Sequence, residues 1–395
     1  MKITKIFSLL IVILLFSCSN NTKLISGLKS VSRSIQEQYA PDKRVAIFNI
    51  NFDYSDDKII VTGKTDKKEA YLKLLDSLKS LEVKFINKIR VLPDTTVSNK
   101  KYAVARNSVI NIRSAPKHSA ELGTQGLLGM SLKVLDKEGD FYRIQTPDKY
   151  ISWVDKGGIT LMNKEELDQW DNNKKIIYTK NFGYVYDNKS TNASIVSDIS
   201  LGGILKLDSL LPNYVKVAYP DNRVGFIKRD EALMYDAWLD NLNPTESNVE
   251  KIAKTMEGFP YLWGGTSAKG MDCSGFTKMV YLMNGFIIPR DASQQIHAGK
   301  KVDVNLNFSD LQKGDLLFFG KKATLNKQQR VTHVGIWLGN NKQEFIHASG
   351  NVHVSSMDAN HPLYDEYNKN RYLGSRRYLG IKDKNIIDLR DKLKL

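Results

Sequence analysis

The chain has 395 residues, of which 42% are hydrophobic, and its formal net charge at pH 7 is +15. This length predicts about two to four domains, and the hydrophobic fraction excludes a chain that is disordered throughout. The basic residues are spread along the sequence without a basic block or a nucleic-acid-binding motif. Nucleic acid is therefore not an expected partner, whereas an anionic polymer is compatible with the charge.

The first residues have the pattern of a secretory signal peptide. Lys2 and Lys5 precede an apolar run of eleven residues at 6–16, which is shorter than the roughly 20 that a membrane-spanning helix needs. The run ends in LFSC, which resembles a bacterial lipobox. This resemblance implies cleavage after residue 17, a lipid on Cys18 and an exported lipoprotein of the cell envelope. The expected location is the outer membrane, facing the periplasm; an uncleaved anchor is the alternative.

Residues 18–98 are predicted to form a small α+β domain. The stretch LKSVSRSIQEQY is typical of a short amphipathic helix, and RVAIFNINF and KIIVTG are typical of strands. A second helix is predicted in KKEAYLKLLDSLKSL and a last strand in VKFINKIRVL. The helix face predicted to be buried contains Tyr71, Leu74, Leu75, Leu78 and Leu81. Because no catalytic motif is visible here, the domain is interpreted as a spacer or docking domain.

An internal repeat follows this domain. Residues 120–155 align without a gap with residues 73 positions later. The identical pairs are Ala120 and Ala193, Leu128 and Leu201, Gly129 and Gly202, Leu132 and Leu205, Lys133 and Lys206, Pro147 and Pro220, and Asp148 and Asp221. Short alternating segments separated by Gly, Asn and Pro-Asp turns are typical of small β-barrels. The first copy, at 99–165, strongly resembles a bacterial SH3-like domain, and the copy at 174–238 resembles a more diverged one.

The last predicted domain, at 245–395, contains Cys273, which is the only cysteine besides Cys18. If Cys18 carries lipid, Cys273 has no disulfide partner, which favours a reactive role in an exported protein. Apolar residues at helical spacing follow it, so we expect Cys273 in the first turn of a helix with a buried apolar face. The N–H groups there favour a thiolate and can stabilise an oxyanion. A buried structural cysteine is the alternative.

The segment VTHVGIWLGNNKQEFIHAS predicts a β-hairpin with strands at 331–338 and 343–348. A three-residue turn at 339–341 would pair Leu338 with Lys342 and place His333 directly opposite His347 on one face. One imidazole could then orient the other as the base for a cysteine nucleophile. No further cysteine or carboxylate has zinc-ligand spacing to these histidines, so no metal site is predicted. The remaining histidines are interpreted as surface or structural residues: His118, His297, His353 and His361.

Six segments in this order resemble the NlpC-type family of papain-like cell-wall cysteine peptidases: YLWGG, DCSGF, PRDASQQ, KGDLLFF, THVGIWLG and FIHASG. The resemblance covers roughly residues 245–380. It implies a papain-like α+β core, with a helix packed on an antiparallel sheet. It also implies Cys273 as the nucleophile, His333 as the general base and His347 as the residue that orients the base, without a metal or other cofactor.

Tandem SH3-like domains before such a catalytic domain resemble the γ-D-glutamyl-L-diamino acid endopeptidases, which cut peptidoglycan stem peptides between D-glutamate and the diamino acid. This resemblance implies that the first barrel closes the amine end of the cleft, where Glu121 and Tyr150 would recognise an N-terminal L-alanine. Released peptides would then be the substrate, in cell-wall recycling. Further substrate contacts are implied for Tyr261, Trp263, Asp272, Ser274 and Ser293.

Several alternatives stay open at this level. Asp272 and Ser274 could instead cap the helix, and Tyr261 and Trp263 could be core aromatics, while Arg290 is expected to form a structural ion pair. The alternative functions are a lytic endopeptidase or N-acetylmuramoyl amidase acting on intact wall, and a wall-binding lipoprotein with a silent site. The expected fold is a multidomain α+β protein, and a monomer is expected.

Overall fold

The computed structural model describes residues 3–190, 192–339 and 341–391, with side chains described from residue 21 onward. The predictions of a signal peptide at 1–17 and of a lipid on Cys18 concern side chains outside this part. The chain divides into two compact units, Met1–Ser98 and Asn99–Leu395. Among the described residues, no helix combines the length and the apolar sequence needed to cross a bilayer.

The first unit is an α+β domain with a small sheet. Its elements are α1 (Ile3–Tyr39), β1 (Phe48–Ser55), β2 (Lys58–Thr65), α2 (Lys68–Ser80) and β3 (Phe85–Val91). The order β1-β2-β3 combines an antiparallel pair with a parallel pair that α2 connects. The predicted short helix is the end of the longer α1. Leu81, predicted on the buried face of α2, is 53% exposed because α2 ends before it, whereas Leu74 and Leu78 are buried.

The second unit begins with a seven-stranded antiparallel sheet followed by a short helix. The elements are β4 (Tyr102–Ala105), β5 (Val109–Arg113), β6 (Leu122–Leu127), β7 (Ser131–Glu138), β8 (Phe141–Gln145), β9 (Ile151–Asp155), β10 (Ile159–Met162) and α3 (Lys164–Asn172). The strand order is β10-β4-β7-β8-β9-β5-β6. Helix α3 begins with a capping box between Asn163 and Glu166, which satisfies both backbone N–H groups.

A second seven-stranded sheet repeats this arrangement. Its strands are β11 (Lys175–Tyr178), β12 (Phe182–Tyr186), β13 (Ile195–Ser200), β14 (Ile204–Leu210), β15 (Tyr214–Ala218), β16 (Val224–Lys228) and β17 (Ala232–Met234). Each strand lies 73 residues after its counterpart in the first sheet, and the order β17-β11-β14-β15-β16-β12-β13 is the same strand for strand. The two segments that align in sequence therefore also have the same strand topology.

The remainder of the unit packs helices on a six-stranded antiparallel sheet, counted over the described ranges. The elements are α4 (Tyr235–Asp240), α5 (Glu246–Lys254), β18 (Thr266–Ser267), β19 (Gly270–Met271), α6 (Cys273–Met283), β20 (Phe286–Ile287), α7 (Ala292–Gln295), β21 (Lys300–Val302), β22 (Leu316–Lys321), β23 (Arg330–Trp337), β24 (Glu344–Ser349), β25 (Asn351–Ser356), α8 (Glu366–Asn370), β26 (Tyr372–Arg377) and β27 (Ile387–Asp388). The sheet order is β21-β26-β22-β23-β24-β25. The predicted multidomain α+β class, with a helix packed on an antiparallel sheet, is confirmed.

Helix α6 is buried on all sides, which its amphipathic pattern did not predict. The predicted apolar face is buried, and so are the polar residues Thr277 and Lys278 on the other faces. The Thr277 hydroxyl donates to the Gln295 amide oxygen at 2.9 Å, and the Lys278 ammonium lies 2.6 Å from Asp148 of the first seven-stranded sheet. The side of the helix opposite the core is therefore covered by another part of the same unit.

Candidate active site

The start of α6 positions the buried thiol of Cys273. Asp272 is the N-cap of the helix, and its Oδ1 accepts the Gly275 N–H at 2.7 Å. The Cys273 sulfur accepts the N–H groups of Ser274, in its own first turn, and of Val334 on β23. The second bond holds the sulfur against the backbone of the residue that directly follows His333. The predicted location of the cysteine at the helix start is confirmed.

The histidine hairpin has a different register from the predicted one. The described ladder pairs Ile336 with Ile346 and Trp337 with Phe345. His347 therefore lies across from Gly335, and a Cβ on that glycine would be 3.2 Å from the Cβ of His347. The prediction that His333 and His347 are directly opposed is wrong by two residues. Because a shift of two preserves the face, both histidines still project on the same side of the sheet.

The connection between the strands explains this difference. Strand β23 ends at Trp337 and β24 begins only at Glu344, so the connection is longer than the predicted three-residue turn. The Leu338 N–H donates to the Glu344 carbonyl at 3.0 Å, where the prediction had paired Leu338 with Lys342.

The two imidazoles nevertheless meet. His333 Nε2 and His347 Nδ1 are 2.7 Å apart, and the rings are nearly perpendicular, at 77°. His347 is 1% exposed, and its Nε2 lies 3.1 Å from the Ser355 hydroxyl oxygen on β25. If the Nε2–H of His347 donates to the Ser355 hydroxyl, the Nδ1 of His347 carries a lone pair. This nitrogen then accepts a hydrogen bond from His333, which carries its proton on Nε2. The lone pair of His333 is then on Nδ1.

A third histidine, interpreted from the sequence as a surface or structural residue, extends this row. His353 pairs with His347 across β24 and β25, and their ring centroids are 4.6 Å apart. The sequence signal for this contact was the placement of the two histidines three residues on either side of Gly350, which has a positive φ of 75° at the turn. Within the described ranges, no group of three or more His, Cys, Asp or Glu side chains is arranged to hold a metal ion.

A buried guanidinium joins the helix start to the first seven-stranded sheet. Arg290 is 1% exposed and donates to both carboxylate oxygens of Asp272, at 3.1 and 2.6 Å. It also donates to the Ser274 hydroxyl and to the Thr124 hydroxyl, each at 2.9 Å. The expected ion pair of Arg290 is thus present, and the helix-capping alternative for Asp272 is realised in the structure.

The YLWGG segment forms a rim where that sheet meets the helix start. Trp263 is 63% exposed and donates from Nε1 to Glu121 Oε1 at 2.7 Å. Gly264 follows with φ +77°, and a Cβ there would be 2.1 Å from the Leu122 carbonyl, so only glycine permits this approach. The core-aromatic alternative is therefore wrong for Trp263.

The other predicted contact residues surround the same region. Tyr261 is half-buried, and burial together with the charges of Cys273 and Asp272 raises the pKa of its hydroxyl. Tyr150 is half-buried and within electrostatic range of Arg290. Ser293 is half-buried on α7, which packs against β23. The structure thus places Tyr261 near Cys273, Tyr150 near Arg290, and Ser293 on a helix that packs against the strand of His333.

The pKa shifts of the reacting groups do not favour the thiolate that was expected at Cys273. Burial, followed by the Asp272 charge, raises the pKa of the Cys273 thiol to about 12, although two backbone N–H groups act in the opposite direction. Burial, followed by the charge of Arg371, lowers the pKa of His333 to about 4. Burial and His333 lower the pKa of His347 well below its usual 6.5. Burial therefore favours the neutral thiol over the thiolate and the neutral over the charged imidazoles in the free site.

Sequence reasoning missed the partners that belong to other elements. Thr124 and Gln125 lie on β6, and the Gln125 amide oxygen accepts from the Thr266 N–H at 3.0 Å and the Ser267 hydroxyl at 2.9 Å. Ser355 was missed as well. No local pattern signals the Thr124 or Gln125 contacts, whereas Ser355 alternates with His353 along β25.

Comparison with known proteins finds similarity in two regions. Residues 258–377 match the NlpC/P60 family, and residues 108–160 match the bacterial SH3 domain. The first match contains the cysteine, the histidines and the rim, and the second contains most of the first seven-stranded sheet.

Individual relatives extend over both regions. The chain is 32% identical over 268 residues to the gamma-D-glutamyl-L-lysine dipeptidyl-peptidase of Bacillus cereus, covering 66% of this chain and 76% of that protein. It is 28% identical over 222 residues to a Bacillus subtilis protein of the same name, covering 55% of this chain and 70% of the relative. A crystal structure of an NlpC/P60 family protein from Bacillus cereus has a TM-score of 0.60 and 26% identity, covering 70% of this chain and 99% of that one.

Proposed function

Because the chain belongs to the NlpC/P60 family and is a cysteine peptidase, we propose that it hydrolyses the amide bond between D-glutamate and the diamino acid of peptidoglycan stem peptides. The substrate in this proposal is a released peptide with a free N-terminal L-alanine, and the diamino acid is diaminopimelate. The names of the two Bacillus relatives support the γ-D-glutamyl specificity. The observation that carries the proposal is the contact between Trp263 and Glu121, because it brings a carboxylate of the first seven-stranded sheet to the rim of the cleft.

We assign recognition of the substrate ammonium to Glu121, with Tyr150 beside it. Asp272 was the other candidate, but its oxygens already accept the N–H groups of Gly264 and Gly275, the Ser274 hydroxyl and Arg290. A carboxylate offers about four acceptor sites, so Asp272 is saturated and its charge is balanced. Glu121 is exposed and offers a charge-assisted hydrogen bond to an amine. A substrate whose alanine is acylated by the glycan lacks that positive charge.

In the proposed mechanism, Cys273 is the nucleophile and His333 is the base. The Sγ–C bond to the γ-carbonyl forms while His333 Nδ1 takes the thiol proton, because burial favours the neutral form of both groups in the free site. The C–N bond of the tetrahedral intermediate then breaks as this proton passes to the leaving amine. Water hydrolyses the thioester after giving a proton to His333, which returns it to sulfur. His347 holds His333 in the tautomer required for each step.

The start of α6 supplies a donor for the oxyanion. The N–H of Ser274 is bonded to the Cys273 sulfur and that of Gly275 to Asp272, which leaves the Cys273 N–H to stabilise the oxyanion. In the proposed mechanism this N–H acts together with a second donor to the oxyanion.

The experiment is mass spectrometry of the products from three substrates. We expect cleavage of L-Ala-γ-D-Glu-diaminopimelate to L-Ala-D-Glu and the free diamino acid, loss of this activity in Cys273→Ala, and no product from intact sacculi. Glu121→Gln should lower kcat/KM for the free tripeptide about tenfold or more, while the N-acetylated tripeptide is a poor substrate for both enzymes. The control is Glu138→Gln, at an exposed position in the same sheet.

Other products would refute the proposal in distinct ways. Release of stem fragments from sacculi would indicate a lytic endopeptidase, and cleavage at the lactyl–alanine bond would indicate an amidase. Absence of turnover of every one of these substrates would indicate a wall-binding protein with a silent site.

We also propose that the protein is a monomeric lipoprotein, attached through Cys18 to the outer membrane and facing the periplasm. The support is the lipobox-like LFSC at residues 15–18. Metabolic labelling with an alkyne fatty acid should mark the wild type and not Cys18→Ala. Labelling of both proteins, or of neither, would contradict the attachment at Cys18.

A further inference from the structure

A second charged side chain lies beside His333, on an element that the proposed mechanism does not use. Arg371 follows α8, and its carbonyl accepts the Gly320 N–H at 2.9 Å, which fixes its backbone at the start of β26. Its guanidinium donates to the Thr332 hydroxyl at 3.1 Å. Thr332 precedes His333 in the chain, and Arg371 is the strongest of the charges that lower the pKa of this histidine.

The local backbone favours this placement. Phe319 pairs with His333 and Gly320 with Val331, so Thr332 is the extra residue of a β-bulge. A bulge redirects a side chain out of the regular alternation, and Thr332 is exposed. Its hydroxyl can therefore bind the guanidinium next to the reacting histidine.

The guanidinium is held in place while part of its hydrogen-bonding capacity, on Nη1 and Nη2, remains available. The Tyr367 hydroxyl accepts from Nη1 at 2.5 Å, and the Arg371 guanidinium also stacks on the Tyr367 ring, 4.5 Å from its centroid. A guanidinium has five N–H donors, and the described hydrogen bonds use two of them, both to hydroxyl groups. Nε is buried without a partner among the described residues.

Two other arginines of this part of the chain have a carboxylate partner, whereas Arg376 on β26 donates to backbone carbonyl groups. Arg290 binds Asp272, and Arg377 lies 2.7 Å from Asp315. Asp365 also acts on His333, but its carboxylate accepts from the backbone and side chain of Asn368. The side-chain hydrogen bonds of Arg371 to described residues go to hydroxyl groups, so its charge is available to an anion.

The chemistry of the reaction places the leaving diamino acid near Arg371. His333 must protonate the leaving amine, so the departing diamino acid lies on the His333 side, opposite the end closed by Glu121. We propose that Arg371 binds a carboxylate of the departing diamino acid and thereby makes the enzyme selective for diamino acids that carry it. This inference rests on the proposed function. The carboxylate is either the α-carboxylate of a terminal diamino acid or the distal one of diaminopimelate.

Matched pairs of tripeptides show which of the two carboxylates Arg371 binds. L-Ala-γ-D-Glu-L-Lys and its α-carboxamide differ only in the α-carboxylate, whereas diaminopimelate tripeptides with and without a distal carboxamide test the other group. We expect the wild type to prefer the acid of the relevant pair by about tenfold to hundredfold in kcat/KM, and Arg371→Gln to lose this preference. The readout is the ratio of kcat/KM for the acid to that for the amide, because an effect of Arg371→Gln on His333 would change both substrates alike.

Three further variants test whether the effect is specific. Arg330→Gln, at an exposed position on β23, is the charge-matched control and should keep the preference. Arg371→Lys should retain part of it, because the charge remains without the bidentate geometry. Tyr367→Phe should reduce it less than Arg371→Gln, since the ring still supports the guanidinium.

The results distinguish failure of this inference from failure of the proposed function. If the wild type cleaves none of the tripeptides, the proposed function fails. If it cleaves acid and amide equally, or if Arg371→Gln slows both equally, only the inference is overturned. A loss in Arg371→Gln that instead follows replacement of D-Glu by D-isoglutamine would also overturn it, because the carboxylate would then belong to the acyl side.

Discussion

The Lys278 ammonium lies 2.6 Å from the Asp148 carboxylate, and this ion pair joins the middle of α6 to the first seven-stranded sheet. The two side chains are only 9% and 1% exposed. The Thr146 hydroxyl also donates to Asp148, so the carboxylate has a further partner within the connection between β8 and β9. Together with Arg290 and Thr124, this pair makes the sheet part of the support of the active-site helix.

Breaking this ion pair should destabilise the protein strongly. Asp148→Asn leaves the Lys278 ammonium buried without its counter-charge, which typically costs about 3–5 kcal/mol of unfolding free energy. Thermal and denaturant unfolding of the second unit in the full chain would measure the loss. The matched control is Asp140→Asn, which breaks the exposed pair with Lys156 at 2.9 Å and should leave stability unchanged within error.

The double variant Asp148→Leu with Lys278→Met provides the complementary result. Apolar replacement of both members should recover most of the stability lost by the single change, because no buried charge is left unpaired. Equal destabilisation by Asp148→Asn and Asp140→Asn would show that the buried pair contributes no more than a surface pair.

Substitution of Gly335 should disturb the histidine pair. A Cβ at this position would be 2.9 Å from Phe345 Cδ2 and 3.2 Å from His347 Cβ, so Gly335→Ala must displace β24. Because Gly335 is not among the glycines with positive φ, the effect is steric. We expect about 1–3 kcal/mol of destabilisation and a lower kcat, measured by unfolding and tripeptide hydrolysis.

The control for this variant is Gly27→Ala in α1, where a Cβ would meet no atom within 4 Å. It should be neutral or slightly stabilising, because alanine has the higher helix propensity. Full stability and kcat in Gly335→Ala would contradict the register that places this residue beside His347.

The pH profile should reflect the lowered pKa of His333. The base must be neutral to accept the thiol proton, so kcat/KM falls as the pH drops through the pKa of His333 in the free enzyme. With this pKa lowered from 6.5 to about 4, activity should persist at pH 5–6 and decline nearer pH 4. Hydrolysis of an α-carboxamide tripeptide in constant-ionic-strength buffers would measure the acid limb.

Arg371→Gln supplies the internal control for this profile. The positive charge of Arg371 lowers the pKa of His333, so removing this charge should move the acid limb of the profile to higher pH. An acid limb at or above pH 6.5 in the wild type would show that burial does not govern the titration of His333 in the working enzyme.

Local patterns predicted the elements of the site well, and the relations between the elements less well. Cys273 was placed at a helix start because the apolar spacing that follows it is a property of one segment. The strands of His333 and His347 were found, but their register was wrong by two residues because the length of the connection, and not the turn composition, sets it. The burial of Lys278 was missed, because its partner lies 130 positions earlier in the chain.

Periodicity, turn residues and the 73-residue repeat are properties of the sequence itself, and they sufficed to infer the elements, the repeated sheet and the position of Cys273 at a helix start. Packing between distant segments decided the remainder. These features are the diagonal contact of His333 with His347, the hydrogen bonds of Arg290 with Thr124 and Asp272, and the burial that raises the pKa of the Cys273 thiol. The physical reason is that burial and charge pairing depend on which surfaces meet in space. No single stretch of the chain contains that information.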